Sequence, residues 1–124
     1  MTSQVSLVTI LFSDLADVDP ETDDDETQGL SRAHHDLLAE AAAAHGSNEV
    51  KWLGGGLMVS FPSAADALRA AIAVQQASRQ PVQGERLSIR VGLNSGTPLR
   101  DSADYFGTHV MVARRLCERA RPKQ

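Results

Sequence analysis

The sequence predicts an α/β (α+β) fold, a split βαββαβ sandwich of the ferredoxin-like kind with one helix added at its end. Three observations carry this expectation. A β-branched apolar run lies near the start, two short apolar runs flank a triple glycine in the middle, and the stretches between repeat their apolar residues at helical spacing. With 124 residues, the chain suits one compact domain over 1–124 built on a single hydrophobic core.

The first strand is expected over 5–12, VSLVTILF, where the residues are β-branched and apolar almost throughout, as a strand covered on both faces requires. It ends at Ser13 and Asp14. The stretch DLADVDPETDDDE follows, with Pro20 and too little apolar content to pack, so a solvated loop is expected there. Over 28–45, Leu30, His34, Leu37, Leu38, Ala41 and Ala44 recur at helical spacing, and Gly46 follows as a stop. Residues 50–53 and 57–61 are short apolar runs separated by Gly54, Gly55 and Gly56, a hairpin signal that needs no ligand to explain it.

Ser63, with Asp66 three residues on, resembles a capping box that opens a helix over 64–78, whose core stripe is expected at Ala67, Leu68, Ala71, Ile72 and Val74 or Gln75. The run 87–93, LSIRVGL, alternates apolar and polar residues as a strand does, with Gly92 and Gly96 expected to serve turns and bends. After the turn-rich SGTPLRDSAD, a last helix over 105–120 is expected to carry Phe106, Val110, Ala113, Leu116 or Cys117, and Ala120 on one stripe.

Composition excludes several classes of function. No window holds the ~20 apolar residues of a membrane span, and the N-terminus lacks the basic start and cleavage site of a signal peptide, so a cytoplasmic location is expected. A lone cysteine, Cys117, rules out an internal disulfide and reads as a helix-packing residue. Seven of the sixteen acids fall between Asp17 and Glu26, leaving twelve basic residues against nine acidic ones elsewhere. That acidic run lacks the glycine and closing glutamate of a calcium loop. The basic end, RRLCERARPKQ, has no interleaved aromatic residues and reads as a solvated helix face and tail rather than a nucleic-acid patch. His34 and His35 are adjacent on a helix and face different sides, so they do not share a metal.

Taken together, VTILFSDL at 8–15, KWLGGGLMVSFPSAADALRAAIAVQ at 51–75 and IRVGLNSGTPLRDSADYFGTHVMVARRL at 89–116 resemble the catalytic domain of the class III adenylate and guanylate cyclases. The resemblance implies an active site shared by two domains. In that family two aspartates from one partner hold two Mg²⁺ ions that bridge the nucleotide phosphates, and the other partner supplies base-selecting and transition-state residues. Asp14 matches the first metal aspartate. Lys51 and Asp104 match the adenine-selecting pair, and Arg115 matches the arginine that steadies the phosphates in the transition state.

Two positions depart from the pattern. The second metal aspartate, normally in the sequence Gly-Asp-Gly, is Gly55, and the asparagine that positions the ribose is Met111. Asp17 and Asp19 stand where the family commonly has a glycine and a hydroxyl residue near the phosphates, and the chain stops at ARPKQ where the family usually continues into further strands. Glycine gives a hard divalent cation no oxygen side chain. The expectation is therefore a cyclase-like domain with impaired or lost catalysis, a weak Mg²⁺ or Mn²⁺ site at Asp14, and a homodimeric or heterodimeric partnership with another such domain; the alternative is a weakly active adenylate cyclase taking ATP.

Overall fold

In a computed structural model the described residues are 8–16, 25–47, 49–81, 86–96, 99–101, 104–106, 108–122 and 124, with the backbone alone described at 26, 99–101, 104–106 and 108–110. The acidic positions from Asp17 to Asp24 lie outside the described residues. In chain order the elements are β1 (Val8–Leu15), α1 (Asp25–Ala44), β2 (Val50–Leu53), β3 (Gly56–Phe61), α2 (Ala64–Ala77), β4 (Ile89–Gly96), β5 (Leu99–Asp101), β6 (Asp104–Phe106) and α3 (Thr108–Arg119).

Four of the strands form one antiparallel sheet in the order β2-β3-β1-β4. This is the arrangement that a split βαββαβ chain adopts, with the two outer strands arriving by helical crossovers. Alternation along each strand sorts side chains to opposite faces. On one face Leu11, Leu57, Val59, Phe61 and Ile89 meet Leu30, Leu38, Ala41 and Ala42 of α1 and Ala67, Ala70, Ala71 and Val74 of α2, making the main core. On the other, Ile10, Phe12 and Met58 meet Ala113 and Cys117 of α3. Full burial of such side chains stabilises by roughly 1.5–3 kcal/mol each, so the larger cluster dominates stability.

Ser63 caps α2 as expected, its side chain accepting from the Asp66 backbone N–H at 3.2 Å. The stripe of α2 is phased differently from expectation, because Leu68 and Ile72 are 52% and 50% exposed while Ala70 is buried. Small alanines face inward and let α2 pack closely, whereas a reading guided by the largest apolar residues turns the helix too far. On α1, likewise, Ala42 rather than Ala44 is buried. Phe106 belongs to a short β5–β6 hairpin that the sequence pattern did not indicate, and α3 accordingly begins at Thr108.

Two glycines position α3 and the hairpin. Gly92 is no bend; a Cβ there would overlap the Ala113 carbonyl oxygen and the Cys117 backbone nitrogen, so its bare backbone is what lets α3 lie against β4. At the β2–β3 turn, Gly54 and Gly55 have φ of 56° and 87°, the positive values that a two-residue hairpin turn of this hand needs at both central positions.

Candidate functional site

A cleft of about 230 Å³ opens where the end of β1, the β2–β3 turn, β4 and α3 converge, lined by Phe12, Asp14, Gly54, Gly55, Arg90 and Arg114 among others. Strand register builds its floor. Asp14 and Arg90 are directly opposite on β1 and β4, and alternation sends both to the α3 side of the sheet. Their side chains meet in a two-pronged ion pair, with Arg90 Nε donating to Asp14 Oδ1 at 2.7 Å and Nη2 to Oδ2 at 2.6 Å. Arg90 Nη1 also donates to the Glu118 carbonyl at 3.1 Å, near the C-terminus of α3, where the helix dipole favours a cation. Asp14 is 15% exposed and Arg90 25%, so the pair is shielded from solvent on most sides.

Arg114 closes the cleft from above. Its Nη2 donates to the Gly54 carbonyl at 2.9 Å, its Nε to Glu118 Oε1 at 3.3 Å, and its guanidinium carbon lies 5.5 Å from the centre of the Phe12 ring. Beneath Asp14, burial and the nearby carboxylate push the Cys117 thiol up to about 12, and its Sγ donates to the Arg90 carbonyl at 3.3 Å. The hydrogen bond to Asp14 raises the Arg90 guanidinium above its ordinary value. Behind the strand, His34 Nε2 and the Ser13 hydroxyl share a buried hydrogen bond of 2.8 Å. Burial lowers His34 to about 4, with Asp14 opposing part of that shift, so the imidazole is neutral near pH 7.

Of the residues singled out in the sequence, Asp14 and Gly55 come together in this cleft. Lys51 pairs in register with Met58 and so shares the α3 side of the sheet, out on β2; its ammonium lies 3.7 Å from Glu49. Met111 is 58% exposed and Arg115 is also exposed, so α3 turns both toward solvent rather than into this cleft. The Asp104 backbone pairs with Asp101 in the β5–β6 hairpin, and its side chain lies outside the described residues. His35 is half-buried and stacks on Trp52 with ring centres 5.7 Å apart.

Sequence reading missed Arg90 and Arg114. The polar position of Arg90 in an alternating strand hinted at a face, but only the β1–β4 register sets it against Asp14. The residues present do not fit a pair of divalent cations. Both oxygens of Asp14 are held by a guanidinium, the turn offers no carboxylate at Gly55, and Glu118 is engaged by Arg114.

No family model matches the chain. The solved adenylate/guanylate cyclase/hydrolase from Silicibacter pomeroyi is 33% identical to it, with a TM-score of 0.78 over 94% of this chain and 72% of that one. The guanylate cyclase domain of RhGC from Catenaria anguillulae, solved in complex with GTP, shares the fold at a TM-score of 0.77 and 19% identity, over 98% of this chain and 78% of that one. The Rhizobium meliloti protein named "Putative adenylate cyclase 3" is 33% identical over 101 residues, covering 77% of this chain. The chain spans only 17% of the length of that relative.

Proposed function

This chain belongs to the class III adenylate and guanylate cyclase catalytic-domain family, and from that premise we propose that it is a domain which keeps the cyclase fold without cyclising nucleotides, acting as a dimerising, regulatory module. The observation that carries this reading is the turn at Gly55, where the family's second metal aspartate is replaced by a glycine beside an Asp14 already paired with Arg90. With that carboxylate gone, neither entering nor leaving oxygen of a phosphoryl transfer is clamped by a metal pair. The exposed Met111 removes a polar contact to the ribose as well.

By the family's pattern, Lys51, Asp104 and Arg115 are the residues that meet the base and phosphates of a nucleotide held between this domain and a second one. The exposure of Arg115 and Met111 on the outer side of α3 supports that arrangement. The partner is a second copy of this chain or another cyclase domain, in the cytoplasm. In a homodimer both sites carry the same two replacements, so neither copy compensates for the other. A partner contributing the absent carboxylate and amide would instead complete one site, and this is the weakly active adenylate cyclase reading.

The test is an assay for cyclic AMP and cyclic GMP with ATP or GTP and Mn²⁺, run beside sedimentation analysis. Dimers without cyclic product are expected. Clear turnover that disappears on Asp14→Ala would refute the reading.

A further inference from the structure

We propose that the cleft is closed to divalent cations by its own arginines, Arg90 and Arg114 standing where metal ions would meet Asp14, Glu118 and the Gly54 carbonyl. The inference deepens the reading of an impaired cyclase domain and rests on it for the premise that cations belong at this place in the fold.

Guanidinium groups engage the Asp14 carboxylate, the Glu118 carboxylate and carbonyl, and the Gly54 carbonyl, all of residues that line the cleft. Arg90 binds Asp14 through two short bonds and is held in that pose by the Glu118 carbonyl. Arg114 bridges the Glu118 carboxylate and the Gly54 carbonyl, tying the glycine turn to α3. The four charged side chains, two acidic and two basic, sum to a formal charge of zero. A dication brought among them meets as much repulsion as attraction, whereas two unpaired carboxylates would draw it in.

Geometry opposes exchange as well. A metal ion that took Asp14 would have to displace a planar fork matched to both carboxylate oxygens, leaving a largely shielded guanidinium without its counter-ion. The Arg114 guanidinium also lies within van der Waals contact of Gly54, at 2.9 Å from a would-be Cβ, so the turn and α3 are closed on each other. Protein cations thus perform the bridging that a metal performs elsewhere: they join β1 to β4 and the β2–β3 turn to α3. Arg90 and Arg114 are positioning residues in this account, and their effect is on cation affinity.

Titration of the full chain with Mn²⁺, followed by electron paramagnetic resonance, tests this. Wild type should show no saturable site tighter than about 1 mM, and Arg90→Gln with Arg114→Gln should tighten binding by at least about tenfold, an effect lost when Asp14→Asn is added. Circular dichroism checks that the variants are folded; should the double variant not fold, the wild-type titration decides alone. A single wild-type Mn²⁺ site of sub-millimolar affinity that Asp14→Asn abolishes overturns the proposal, as does a folded double variant with no gain. A tight site without cyclic product sinks this inference and leaves the proposed function standing, while cyclic product without a cation site does the reverse.

Discussion

Replacing Gly92 by alanine should unfasten α3 from the sheet. A Cβ at this position would overlap the Ala113 carbonyl oxygen and the Cys117 nitrogen and come within 3.0 Å of the Cys117 Cα. All three are backbone atoms, so no side-chain rotation relieves the clash and the helix itself must lift. Overpacking of this kind costs typically 1–3 kcal/mol, and a contact with rigid backbone belongs at the upper end, about 3 kcal/mol. Against that, removing a glycine lowers unfolded-chain entropy and contributes roughly 0.4–1 kcal/mol of stability. The net loss is about 2 kcal/mol, or a fall in Tm of roughly 8 °C for a domain of this size.

Thermal unfolding followed by circular dichroism measures that shift. Gly29→Ala, in the second turn of α1, is the control of opposite sign, expected to raise stability by about 0.5–1 kcal/mol through helix propensity. If Gly92→Ala melts within about 2 °C of wild type, α3 does not rest on β4 as described, and the placement of Arg114 over the cleft falls with it.

Two further outcomes follow from buried groups. Because burial lowers His34 to about 4 from an ordinary 6.5, the fold favours its neutral form; stability from this group is full above pH 6.5 and lost as pH falls toward 4, by about 3 kcal/mol in total. Urea midpoints measured across that range should drop, and His34→Gln should flatten the dependence; an unchanged slope would show that His34 is not the cause. The Cys117 thiol, buried and pushed up to about 12, should react with a disulfide reagent only as the protein unfolds, so rapid labelling of the native chain near pH 8 would contradict its packing under Asp14.

Periodicity made much of the fold legible. The VTILF run, the glycine hairpin and the Ser63 cap are local signals, decided by propensity and turn chemistry within a few residues; the hairpin and cap emerge where expected, while β1 runs on to Leu15 past the expected end at Ser13, and positions 5–7 lie outside the described residues. Helix phase was harder: Leu68 and Ile72 look like core by size, yet the alanine face of α2 is buried, because close packing against α1 and the sheet favours small side chains. The β5–β6 hairpin gave no sequence signal, its strands being only three residues each.

The sequence by itself determined the resemblance to the family, the Asp14 carboxylate and the absence of a carboxylate at Gly55, since residue identities carry that information directly. Only the tertiary structure decided what Asp14 touches. Its partner Arg90 is 76 residues away, and nothing local to either residue dictates the antiparallel register that sets them face to face. Likewise Arg114 and Arg115 are neighbours in sequence, but the 3.6-residue turn of α3 aims one into the cleft and the other into solvent, and which is which depends on how the bare backbone of Gly92 receives the helix.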